Sequence, residues 1–356
     1  MVIWAYAAIL AWSVAVPAVA APPAPVTPAA PVVSPMPRPE QVMAVPPELR
    51  AQLQQQVIAA GVSGKPRLER LADFLFRKSG LGMEYSADAT LTVEQAYRTR
   101  KANCLTFTLL TVALARESGL HAYGQKFDDI VAWRVDDDLV YRSNHVNAGI
   151  TMGRSRFSVD VARALVKARD PPEPISDRRL LALYYNNRAA ELLDAASPTV
   201  AAPYMAMALQ LAPRDAGAWV NAGVLHLRQG NARAAERDYL KALAFDPNNA
   251  GALVNLVTLY ANNGDEARRA SYARRIEKIQ AKDPYFQFLQ AEEDGQRGDY
   301  AGAVQHYRAA IRLYAGDPRF YLGLAHAYEQ LGATRDARRA MHRAVALSRS
   351  SAANRN

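Results

Sequence analysis

An α+β domain followed by an all-α solenoid of helical hairpins is the fold class the sequence predicts, and three observations predict it. Gly230, Gly264, Gly298 and Gly332 recur every 34 residues, each between two helix-patterned segments. Residues 130–161 instead alternate apolar and polar side chains between turn residues, the pattern of half-buried strands. Ahead of those strands, apolar residues fall at helical spacing, as in Leu68, Leu71, Phe74 and Leu75.

Half of the 356 residues are apolar and 22% are charged, enough to bury a core in each of two domains of about 150 residues. The net charge of +9 would suit an anionic partner. Its carriers, however, are scattered pairs such as Arg268-Arg269, Arg274-Arg275 and Arg338-Arg339, which read as solvated helix faces. No specific nucleic acid binding is expected.

Residues 1–20 form an apolar stretch ending in Ala18-Val19-Ala20, the small-residue pattern of a secretory signal peptide cut after Ala20. The first charged side chain is Arg38, so the usual positive start is missing, and about 20 apolar residues also suffice to span a bilayer. The stretch is either a signal peptide or a retained anchor. Both readings place the body of the chain in the periplasm or outside the cell. Residues 21–47 carry ten prolines between Pro22 and Pro47, and their fixed φ favours an extended linker; a tail without a role fits the composition equally well.

Residues 48–170 form the expected α+β domain. Thr92-Val93-Glu94-Gln95 is a capping-box helix start. Asn103 then caps a second helix through Leu105, Leu109, Val112 and Ala113 to Gly119, which places Cys104 in its first turn. Strands follow at 130–135, 139–141 and 145–150, then a turn at Gly153-Arg154 and a last strand through Phe157 to Val161. If that turn holds two residues, facing positions sum to 307, and Asp160 shares a face with His145. A three-residue loop would put the two on opposite faces.

This order offers a thiol, an imidazole and a carboxylate. A helix N-terminus and a neighbouring imidazolium both favour a thiolate, the nucleophilic form of cysteine. Cys104 is then the candidate nucleophile, His145 the base and Asp160 the group that orients the ring. Plainer readings stand beside this. A lone cysteine opening an apolar helix serves equally as a packed small residue, and His145 as a surface strand residue. His121, past the helix end, reads as a turn residue, and Asp128, Asp129 and Asp136 to Asp138 as turn and solvent residues. Cys104 is the only cysteine, so no intramolecular disulfide can form. No metal-ligand spacing and no phosphate-binding glycine loop is present, and no cofactor is expected.

Residues 177–349 hold about five hairpin units. The unit at about 216–249 carries Trp219, Gly223, Gly230, Ala235, Tyr239, Ala242 and Pro247, with His226 where an aromatic is usual. In these residues it resembles the tetratricopeptide (TPR) family. The last unit agrees at Tyr321, Leu324, Ala325, Tyr328, Gly332, Ala337 and Ala344, while the units at about 250 and 284 drift. The resemblance implies stacked hairpins whose concave surface binds a protein or peptide.

The stretch Thr99-Arg100-Lys101-Ala102-Asn103-Cys104-Leu105-Thr106, continuing to Leu114-Ala115-Arg116-Glu117-Ser118-Gly119-Leu120, resembles the cysteine motif of bacterial transglutaminase-like proteins. Ser143-Asn144-His145-Val146-Asn147 is similar to that family's histidine strand and Val159-Asp160 to its aspartate strand. The resemblance covers about residues 66–165. It implies a papain-like fold in which Cys104, His145 and Asp160 form a triad that passes through a thioester, with the Cys104 N–H contributing to an oxyanion hole. Ala102 stands where glycine is usual, and Val146-Asn147 replaces a small residue and tryptophan. Three functions remain open: a cysteine hydrolase or peptidase, an acyl transferase using amines, and an adaptor in which the cysteine site is inert.

Overall fold

The helix that opens at Cys104 is enclosed on every side, because Leu105 through Ala115 are all buried. A helix apolar all round has no stripe for water and must sit inside a packed layer. In the computed structural model, which describes residues 35–127, 134–136, 139–141, 145–161, 172–195 and 198–353, that layer is a four-stranded antiparallel sheet. The expected signal peptide or anchor, and the linker as far as residue 34, lie outside the described residues. Among the described residues no helix is long and apolar enough to cross a membrane.

The elements before the sheet are α1 (Pro39–Val42), α2 (Pro47–Leu53) with a π-helical extension over Gln54–Ile58, and α3 (Lys65–Phe76). Next come β1 (Glu84–Tyr85), α4 (Val93–Thr99), β2 (Lys101–Ala102) and α5 (Cys104–Glu117). The strands that follow are β3 (His121–Lys126), β4 (Arg134–Asp136), β5 (Leu139–Tyr141), β6 (Val146–Met152), β7 (Ser155–Val159) and β8 (Glu173–Ile175). The sheet order is β7-β6-β3-β8, with β4 and β5 pairing apart as a small ribbon. Helix α5 packs on β3 and β6. His121, expected in a turn, is instead the first ladder residue of β3, opposite Thr151, because Leu120 already turns inward beyond Gly119.

Two expected caps are present. Thr92 accepts from the Gln95 N–H while Gln95 reaches back to the Thr92 N–H, and Asn103 accepts from Thr106 at 2.9 Å. The described end of the proline-rich run is not an extended spacer. Val42 and Val45 enter the same core as α3 and α5, and the Tyr185 hydroxyl donates to the Pro37 carbonyl at 2.6 Å. Prolines open α1 and α2 at their first positions, where no N–H is needed.

Five helix pairs follow: α6 (Asp177–Ala195) with α7 (Pro198–Leu211), α8 (Ala216–Arg228) with α9 (Ala232–Phe245), α10 (Ala250–Asn262) with α11 (Glu266–Gln280), α12 (Pro284–Gln296) with α13 (Tyr300–Leu313), and α14 (Pro318–Gln330) with α15 (Thr334–Ala353). The glycines of the 34-residue beat all have positive φ, between 70° and 80°, so the beat records a left-handed residue following α8, α10, α12 and α14. Two positions of the repeat face each other within successive hairpins. They hold His226 and Asp238 at 2.6 Å, then stacked Tyr260 and Tyr272 with centroids 5.7 Å apart, then Asp294 and His306 at 2.6 Å. From the first to the third of these hairpins, histidine and aspartate have exchanged helices.

The chain divides into two compact units, Met1–Phe245 and Asp246–Asn356. In the first, the core runs without a break from Val42 through α5 and the sheet to Leu225 of α8. Arg116 of α5 forks onto both carboxylate oxygens of Asp177, at 2.6 and 2.9 Å, and ties α5 to the start of α6. The second unit consists of α10–α15, with a core of Ala291, Ala303, Tyr307, Leu324, Ala325 and their neighbours.

Candidate active site at Cys104

Cys104 is the first residue of α5 and is partly exposed, so its N–H is one of those a helix leaves without an internal partner. Its position is held from both sides. The Asn103 amide donates to Thr90 Oγ1 at 2.7 Å, and the Thr106 hydroxyl donates to the Ala89 carbonyl at 2.7 Å while accepting from the Leu91 N–H at 2.8 Å. These bonds fasten the first turn of α5 to the loop before α4.

Met152 pairs with Ser155, so the turn between β6 and β7 holds two residues, and Gly153 takes a positive φ of 57°. A positive φ at the first central position is the glycine-requiring arrangement of a tight hairpin. The ladder continues to Ala148 opposite Val159, which leaves His145 one residue before β6 and Asp160 one residue beyond β7. Both side chains fall on one face, and His145 Nε2 lies 2.6 Å from Asp160 Oδ2. The His145 and Asp160 side chains are 3% and 6% exposed.

Burial works against a charged ring at His145. Hydrogen bonds to Asp160 and to the Cys104 side chain, with the charges of both partners, outweigh it and raise the pKa from 6.5 to about 9. With Nε2 engaged by Asp160, Nδ1 is the nitrogen left for the sulfur. Phe127 covers the ring, with centroids 5.5 Å apart. The structure therefore brings Cys104, His145 and Asp160 together in the sequence order cysteine, histidine, aspartate. Asp128, Asp129, Asp137 and Asp138 lie outside the described residues, and Asp136 ends β4. No group of three or more potential metal ligands occurs among the described residues.

Asn147 also belongs to this cluster. Its amide donates to Asp160 Oδ2 at 3.2 Å. The signal was available in the register, since 147 and 160 sum to 307, but an asparagine inside a strand shows no pattern of its own.

The carboxy-terminal hairpins are tetratricopeptide repeats, a protein-interaction architecture. Three tetratricopeptide-repeat family models match residues 216–249, 238–269 and 296–354. None of these matches includes Cys104, His145 or Asp160. The chain is 32% identical over 148 residues to the cellulose synthase operon protein C of Xanthomonas axonopodis pv. citri, a match that takes in 39% of this chain. The chain spans about a tenth of the length of that curated relative, 10% of it. Among solved structures, PilF of Pseudomonas aeruginosa is 18% identical, with a TM-score of 0.29 over 48% of this chain and 78% of that one. MamA from Desulfovibrio magneticus is 15% identical, with a TM-score of 0.27 over 49% and 97%. YrrB, described as a TPR protein with an unusual peptide-binding site, is 19% identical, with a TM-score of 0.26 over 47% and 86%.

Proposed function

We propose that this chain is a protein-binding protein of the cell envelope whose amino-terminal part is a papain-like, transglutaminase-like cysteine hydrolase of peptide or amide bonds. The observation that carries this reading is His145 hydrogen-bonded to Asp160 at 2.6 Å, with the Cys104 side chain near enough to help raise its pKa. The charged ring lies beside the sulfur, and Cys104 opens α5 at the positive end of its helix dipole.

In this reading the Cys104 thiolate attacks the carbonyl carbon of a bound peptide or carboxamide. The C–N bond breaks as His145 gives its proton to the leaving nitrogen, and a thioester remains. Water then adds to the thioester while His145 takes a proton from it; the acid leaves, and the thiolate and imidazolium are restored. An amine in place of water would make the same thioester a transferase intermediate. The repeats would hold the protein that carries the bond.

A second reading is an adaptor with a silent thiol, and the placement of the family matches within the repeats favours it. Iodoacetamide labelling separates the two, because every alkylation of a cysteine reports Cys104. A working triad gives labelling at pH 6 about tenfold faster in the folded than in the denatured chain, with the excess lost in His145→Ala. Labelling no faster than in the denatured chain would leave the adaptor.

A further inference from the structure

The carboxylate that orients His145 is not itself fixed by the sheet. The last ladder pair of β7 is Val159 with Ala148, so Asp160 lies past the end of the strand and its side chain needs another support. Asn147 supplies one. It stands opposite Asp160 in the register, is 3% exposed, and donates from Nδ2 to the same Oδ2 that meets His145.

The rest of the asparagine side chain shows what this arrangement costs. Asn147 Oδ1 is buried and has no hydrogen-bond partner among the described residues. An amide turned the other way would set Oδ1 against a carboxylate oxygen, acceptor against acceptor, so the donor end must face Asp160. The unsatisfied oxygen is what that orientation leaves over. A valine or leucine would fill the same inward position of β6 without burying an unpaired acceptor. The polar residue is explained by what it does to Asp160, not by packing.

We propose that Asn147 is a positioning residue: its amide holds the Asp160 carboxylate with Oδ2 toward His145, and so keeps the His145 ring aligned beside Cys104. This rests on the reading of Cys104 as a working nucleophile. The ionisable groups that bear on the His145 ring are Asp160 and Cys104, and Phe127 against it is uncharged. Asn147 therefore acts on the ring through Asp160.

The test uses the full chain and two readouts, the NMR titration of His145 and the rate of Cys104 alkylation at pH 6. In Asn147→Ala the His145 midpoint falls by about one unit and alkylation slows about tenfold, while Asn147→Ser, which keeps a donor, recovers part of both. A folded Asn147→Ala with the wild-type His145 midpoint overturns the proposal. A wild-type chain whose His145 titrates high but whose Cys104 labels no faster than the denatured chain overturns the hydrolase reading and leaves the Asn147–Asp160 link to be judged on the His145 midpoint. Should the alanine variant fail to fold, the wild-type protein decides. The Asn147 side-chain NH2 must exchange slowly with solvent and shift as His145 titrates; exchange as fast as a free amide would overturn the proposal.

Discussion

His145 and Asp160, 15 residues apart in the chain, meet diagonally across β6 and β7 because the turn between them holds two residues. The contact thus depends on the length of a turn that neither residue touches. Inserting one glycine between Gly153 and Arg154 carries Asp160 to the opposite face of its strand. The expected result is Cys104 labelling at pH 6 reduced to the level of His145→Ala, with the far-ultraviolet circular dichroism unchanged.

The proton on His145 links the site to stability. The folded protein holds it more tightly than the unfolded chain, with a pKa of about 9 against 6.5, so the stabilisation is complete below about pH 6.5 and is lost as pH rises through 9. Urea unfolding of the first compact unit at pH 6 and pH 9.5 should differ by on the order of 3 kcal/mol from this group. Asp160→Asn should remove most of that difference.

If the hydrolase reading holds, the same ring sets an alkaline limit. His145 must be protonated to release the leaving nitrogen, so turnover of an amide substrate should fall above about pH 9. Turnover that keeps rising beyond that pH would assign the leaving-group proton to another donor.

The exchanged pairs His226–Asp238 and Asp294–His306 give a further prediction, for the repeats. Asp238 and Asp294 are buried against their histidines, and Asp294 also pairs with Arg297 at 2.6 Å. Losing the partner through His226→Ala should cost about 1–3 kcal/mol in chemical unfolding. The double exchange of His226→Asp with Asp238→His should recover most of the loss suffered by either single change, because the repeat already carries that arrangement between α12 and α13.

Tyr239 is fully buried, and its hydroxyl has no hydrogen-bond partner among the described residues. Removing that oxygen abandons no bond and ends an uncompensated desolvation. Tyr239→Phe should leave the unfolding midpoint unchanged or raise it.

The sequence made legible those features whose chemistry is local or periodic. The Asn103 cap, the left-handed glycines closing α8, α10, α12 and α14 and the tight turn at Gly153 each follow from one residue type meeting one backbone demand. The pairing of His145 with Asp160 was legible in the same way, given a turn of two residues at Gly153, whereas Cys104 joins them through the family resemblance. Features that depend on distant partners were not. Val42 and Val45 sit among prolines with no period to mark them, and only Tyr185 and the core beside it show that this stretch is packed. Nothing in residues 170–180 reveals that α6 shares a core with α5, since the tie is Arg116 reaching Asp177, 61 residues away.

The docking of Pro37 on Tyr185 carries a mechanical consequence. Tension drawn along the chain from its first 34 residues would enter the folded unit at this hydrogen bond and at Val42, beside α6. Both points lie in the core that holds the Tyr184–Tyr185–Tyr204 cluster and α5, the helix that opens at Cys104. A pull from that end would therefore bear on the first helical hairpin and on the helix carrying the thiol through one shared core.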